Sequence, residues 1–134
     1  MNALLVLVTL AALFFYFWTG IEVARARGKY GVKAPAMTGN TDFERVVRVQ
    51  ANTLEWIPLF LASMWLFSIY WPAWIAAIIG VVWIVGRFMY MQGYLAAADK
   101  RSMGFLVQGI AVAALFLGAL VGVVMSLVNN GVGA

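Results

Sequence analysis

The sequence predicts an all-α integral membrane protein, a bundle of four spanning helices, and three observations carry that expectation. Hydrophobic residues make up 65% of the 134-residue chain and charged residues only 10%. Mean hydropathy is +0.94, and a soluble domain of this size would need far more charge to cover its surface. The apolar residues fall into four runs, each long enough at about 1.5 Å per residue to cross a hydrocarbon layer of about 30 Å. The connections also alternate in charge. Arg25, Arg27, Lys29 and Lys33 lie in the first and Lys100 and Arg101 in the third, while the second has none, nor does the chain before Glu22 or after Arg101.

Helix 1 is expected over about 2–24. Its apolar part exceeds the core of a signal peptide, and its basic residues follow rather than precede it, so it reads as a retained span. The segment ARARGKYGVKAPAMTGNTD, 24–42, is rich in Gly, Pro and basic residues and reads as a loop. Asn40, Thr41 or Asp42 can cap the second helix, and Thr41 with Glu44 has the spacing of a capping box. Helix 2 is expected over about 43–68, amphipathic in its first half, apolar from Trp56 onward, and bent near Leu54 by Pro58. Tyr70, Trp71 and Pro72 make a tight turn with aromatic anchors suited to a membrane interface. Helix 3 is expected over about 73–98, then a polar turn from Asp99 to Ser102, then helix 4 over about 103–128. The whole chain, 1–134, reads as one domain without internal repeats.

The positive-inside rule puts the first and third connections in the cytosol and both termini on the opposite side. The basic residues flank the spans, so the net charge of +4 reflects topology and anionic membrane lipid rather than nucleic acid. The chain has no cysteine and no histidine. That removes disulfides, thiolate metal sites, a cysteine nucleophile and the usual near-neutral base, so no metal centre is expected and any thiol must arrive with a ligand.

Polar groups recur inside the apolar runs. Positions 45, 48, 52 and 55 step by three, four and three, which lines up Arg45, Arg48, Asn52 and Glu55 on one face of helix 2. Arg87, Tyr90 and Tyr94 repeat the pattern on helix 3, with Arg101 seven positions on, roughly on the same face if the helix continues. Arg87 lies about 20 Å along its helix, well inside a bilayer. A purely structural reading makes Glu55 and Arg87 an ion pair locking two helices. Two facing stripes of Arg, Asn, Glu, Gln and Tyr hold more donors than packing needs, and such groups are costly without water or a ligand. Arginines bind carboxylates through a fixed fork of donors, Asn52 and Gln50 can read an amide, and Glu55 can accept from an ammonium. A peptide-like zwitterion with several carboxylates satisfies that set.

Two segments also carry a family resemblance. FERVVRVQANTLEWIPLFL, 43–61, closely resembles the signature of the MAPEG family, the membrane-associated proteins in eicosanoid and glutathione metabolism, and GRFMYMQGYLAAADKR, 86–101, is similar to its second conserved block. The likeness is strongest to the leukotriene C4 synthase and microsomal glutathione transferase branch. It implies a homotrimer of four-helix subunits with glutathione bound between neighbours near the cytosolic side. It also implies glutathione contacts from Arg48, Asn52, Glu55 and Trp56 on helix 2 and from Arg87, Tyr90 and Tyr94 on helix 3. Gln50 and Arg27 match positions that reach the ligand from the adjacent subunit, and Arg101 matches the arginine proposed to stabilise the thiolate. Trp56 stands where the synthase has tyrosine, and a second basic position of the synthase falls on Gly28 here.

The resemblance therefore implies a glutathione transferase of a bacterial inner membrane, with glutathione as co-substrate and a hydrophobic electrophile entering from the lipid. Peroxidase chemistry through the same thiolate stays open, as does a detoxifying role. In a chain that reads as bacterial, eicosanoid substrates are not expected. The alternatives are a non-catalytic protein that binds glutathione or lipid, and a structural membrane protein.

Overall fold

A computed structural model of the chain describes residues 2–133, so the outermost positions of the expected 1–134 domain, Met1 and Ala134, lie outside the described residues. It is all-α. Helix α1 spans Ala3–Tyr30, α2 Thr41–Tyr70, α3 Ala73–Ala96 and α4 Ser102–Asn130, with a 3-10 turn over Ala98–Arg101 between the last two. All four helices are long and apolar enough to cross a membrane.

Helix α1 runs six residues past the expected end at Ala24. Basic side chains are favourable at a helix C-terminus, and Arg27 and Lys29 occupy the last turn. The stop is Gly31, which takes a left-handed φ of 69° and donates its N–H to the Arg27 carbonyl. Helix α2 is capped by Asn40, whose Oδ1 accepts from Phe43 N at 3.0 Å. Thr41 is thus inside the helix, and the expected Thr41–Glu44 capping box does not form. Asp42 and Glu44 instead sit in the first turn, where the helix dipole favours acids. The helix continues across Pro58 to Tyr70. At about 1.5 Å per residue, α1 and α2 reach about 42 and 45 Å, longer than a hydrocarbon layer.

Helix α3 stops two residues early. Ala97 is extended, with φ −163° and ψ 144°, and donates to the Gly93 carbonyl. The 3-10 turn then folds back onto Gly93, where any β-carbon would collide with the Lys100 carbonyl oxygen. Glycine at 93 is what lets the turn close over the end of α3.

The main core is built from Leu5, Val8 and Ala12 on α1, Ile57, Phe60, Met64 and Phe67 on α2, Ala76, Ala77 and Trp83 on α3, and Ala111, Val112 and Leu115 on α4. Phe60 and Trp83 stack at its centre with centroids 4.1 Å apart. The Trp83 indole N–H donates to Gln108 Oε1 at 3.1 Å, which satisfies two buried polar groups together. In its most apolar stretch α3 is 44% buried within the chain and α4 only 22%. The outward faces carry Leu10, Phe14, Leu66, Ile78, Ile110 and Leu117, an apolar surface suited to lipid or to other subunits.

Candidate functional site

Two members of the helix 2 stripe and two of the helix 3 stripe face a common groove of ≈ 1010 Å³, whose lining does not include Arg45, Glu55 or Arg87. Arg48 and Asn52 line it from α2, Tyr90 and Tyr94 from α3, and Asp99 and Arg101 from the 3-10 turn; Ser102, Phe105 and Leu106 close it from the start of α4. Spacing of three and four on each helix put the first four side chains on one face. Arg101 arrives by a different route. The helix does not continue from Tyr94 to Arg101; the Ala97 break and the turn carry Arg101 round instead, so its guanidinium carbon lies 5.3 Å from the Tyr94 ring centroid. Its Nη1 donates to the Ala98 carbonyl at 3.0 Å.

The floor is aromatic. Tyr90 and Tyr94 stack at 5.7 Å, and Tyr90 lies 6.1 Å from Phe105. Phe105 in turn meets Trp56 edge-on at 5.7 Å. Trp56 belongs to a second groove of ≈ 380 Å³ between α2 and α4, walled by Leu59, Val112, Ala113, Phe116 and Leu117. A polar groove and an apolar groove thus adjoin at the Trp56–Phe105 contact.

Arg87 is 0% exposed. Its Nη1 donates to Asn52 Oδ1 at 2.7 Å and its Nη2 to Thr53 Oγ1 at 2.7 Å, while its guanidinium carbon sits 4.4 Å from the Tyr90 ring centroid. The Arg87–Glu55 ion pair of the structural reading is not formed among the described residues, because Glu55 is exposed and Arg87 turns to Asn52 and Thr53.

Not every expected residue comes to the groove within one chain. Arg27 donates to the Ala36 carbonyl at 2.7 Å and lies over the Phe43 ring. Gln50 points at α1, its Nε2 3.4 Å from where a β-carbon on Gly20 would stand. Arg27, on α1, and Gln50, on the side of α2 that faces α1, are both absent from the lining of the groove. Glu55 is not among the groove's lining residues. Four participants were not among the residues expected at the site. Thr53 is off the stripe, and Asp99, Ser102 and Phe105 join only because the turn reverses the chain.

Chemically, the groove offers two exposed guanidinium groups, an amide and two tyrosines, with Asp99 as the acceptor for a cation. That set suits an anionic ligand with several oxygens and one positive end.

Comparison with known proteins places the chain among relatives. The family model of the MAPEG family matches residues 5–121. An uncharacterized protein of Synechocystis sp. is 50% identical over 121 residues, which is 90% of this chain and 88% of that one. Microsomal glutathione S-transferase 2 of Homo sapiens is 44% identical over 101 residues, 75% of this chain and 69% of its own. Leukotriene C4 synthase of Cavia porcellus is 39% identical over 99 residues, 74% of this chain and 66% of its own.

Proposed function

The chain belongs to the MAPEG family, and from that premise we propose that it is a membrane glutathione transferase that joins the glutathione sulfur to lipophilic electrophiles. The observation that carries the reading is the junction of the two grooves. A polar groove with Arg48, Asn52, Tyr90, Tyr94 and Arg101 suits the carboxylates and amides of glutathione, and it opens at Trp56 and Phe105 onto an apolar groove suited to a lipid-soluble partner.

The chemistry rests on charge and proximity. A free thiol has a pKa of about 8.5, and a neighbouring guanidinium lowers it by favouring the thiolate. Arg101 supplies that guanidinium without a general base. The thiol proton leaves to water, the thiolate sulfur forms a bond to the electrophilic carbon, and the displaced electron pair departs with the leaving group, chloride in the case of an aryl chloride. Holding both reactants at the groove junction removes the entropy of bringing them together. With a peroxide in place of the carbon electrophile, the thiolate sulfur bonds to one oxygen, the O–O bond breaks, the other oxygen leaves as an alcohol after taking a proton from water, and a second glutathione converts the resulting sulfenic acid to the disulfide with release of water.

Arg27 and Gln50 fit this reading in a homotrimer, where each would reach the groove of the neighbouring subunit. The site then faces the cytosol of a bacterial inner membrane, with both termini on the other side, and the work is detoxification.

The test is direct. The protein purified in detergent is expected to bind glutathione by calorimetry, to conjugate it to 1-chloro-2,4-dinitrobenzene, and to run as a trimer in native mass spectrometry. Glutathione binding without conjugation to any electrophile would leave a binding protein, and the absence of binding would refute the reading.

A further inference from the structure

Arg87 presents an unusual balance of burial and partners. It is completely buried, yet no carboxylate lies within salt-bridge distance of it among the described residues. Its two terminal nitrogens meet neutral acceptors, and its Nε has no partner. A lone buried cation is costly, and a neutral side chain would pack the same helix contact at less expense.

The donor inventory fixes the orientation of both partners. A guanidinium only donates, so the Asn52 amide must turn its oxygen to Arg87. Its NH2 group is then left over, and Asn52 lines the groove. Thr53 gives its hydroxyl proton to the Val49 carbonyl at 2.7 Å and so shows Arg87 only lone pairs. The Tyr90 ring covers the guanidinium from one side. Thr53, itself 0% exposed, is thereby the second anchor of a guanidinium that Asn52 alone would leave free to pivot.

We propose that Thr53 and Arg87 are positioning residues, which together hold the Asn52 amide with its NH2 group towards the groove, as a donor for a carboxylate or carbonyl oxygen of the ligand. Both are 0% exposed and outside the groove lining, so Arg87, expected from the resemblance to contact glutathione directly, acts in this proposal through Asn52. The buried positive charge acts through Asn52, polarising its amide towards an oxygen of the ligand. This rests on the glutathione reading only for the choice of ligand; the orientation of Asn52 is a property of the free protein.

The experiment uses the full-length protein in detergent with Thr53→Val, which keeps the shape and removes the acceptor, and Thr53→Ser, which keeps the hydroxyl. With 15N-asparagine labelling, the Asn52 side-chain N–H2 resonances, identified by their loss in Asn52→Ala, are expected to shift in Thr53→Val and to return to the wild-type position in Thr53→Ser. This readout needs no ligand. Calorimetry is expected to give a glutathione Kd about tenfold higher in Thr53→Val, because a lost bond to a charged group is only partly transmitted to the ligand, and within about twofold of wild type in Thr53→Ser. In an Asn52→Ala background, Thr53→Val is expected to change the Kd by less than about twofold, since the two act through one contact.

Unmoved Asn52 resonances in Thr53→Val overturn the proposal whether or not glutathione binds. So does a Thr53→Val protein that binds glutathione like wild type, or a double mutant whose losses multiply. If Thr53→Val does not fold, Thr53→Ala replaces it with the same expectations. A wild type that fails to bind glutathione while its Asn52 resonances respond to Thr53 refutes the glutathione reading and leaves the positioning of Asn52 in place.

Discussion

Gly86→Ala isolates the contact that brings α3 and α4 together. A β-carbon at 86 would stand 2.6 Å from Gln108 N and 3.0 Å from both Gln108 Cα and Cβ. Ordinary contacts fall at about 3.5–4.0 Å, so α4 must retreat by about 1 Å. Neither the backbone nitrogen nor the α-carbon can rotate out of the way. Overpacking of this kind costs about 1–3 kcal/mol. The same retreat pulls Gln108 off the Trp83 indole N–H, now 3.1 Å away, and an unsatisfied buried donor costs about 1–3 kcal/mol. Alanine returns about 1 kcal/mol through its better helix propensity. The net expectation is a loss of about 3 kcal/mol.

Gly28→Ala makes the same chemical change near the end of α1, where nothing lies within 4 Å, and should gain about 0.5–1 kcal/mol. Unfolding in mixed micelles of dodecylmaltoside and SDS, followed by tryptophan fluorescence, measures both. Phe105 lies one turn before Gln108 and 6.1 Å from Tyr90, so the retreat of α4 should also weaken ligand binding in the groove. Equal stabilities for the two variants, within about 0.5 kcal/mol, would refute the argument that close backbone approach at Gly86 sets the α3–α4 distance.

The site and the charge pattern make two further outcomes testable. Arg101→Ala should lower the single-turnover conjugation rate far more than it weakens glutathione binding. Without the guanidinium the bound thiol should titrate nearer its free value of about 8.5, so the rate deficit is largest at low pH and shrinks as pH rises through that value. Ultraviolet absorbance of the bound thiolate measures that titration, and an unchanged curve with an unchanged rate removes Arg101 from the chemistry. In this cysteine-free chain, cysteines placed at Asn2 and Gly133 should react with a membrane-impermeant maleimide in intact cells, and cysteines at Lys29 and Ser102 should not; the opposite pattern inverts the topology.

The helices and their polar faces are legible in the amino-acid order alone. Four long apolar runs cross a bilayer as helices, since every backbone polar group must be satisfied within the segment. Steps of three and four then place Arg48 with Asn52, and Arg87 with Tyr90 and Tyr94, on single faces whatever those faces meet. The ends were less legible. Basic residues at 25, 27 and 29 read as loop, yet they suit a helix C-terminus, and α1 ran on to the left-handed Gly31.

Which face meets which is settled by packing between helices. Arg87 finds Asn52 and Thr53 from 35 and 34 positions away, and its choice of these over Glu55 depends on how α2 is rotated against α3. Periodicity within one helix carries no information about that rotation. Arg101 reaches the Tyr94 ring because α3 breaks at Ala97 and the turn closes over Gly93, which also swings Asp99, Ser102 and Phe105 into the groove. Helical spacing is fixed by hydrogen bonds four residues long, whereas the groove is fixed by packing between segments that the chain keeps far apart.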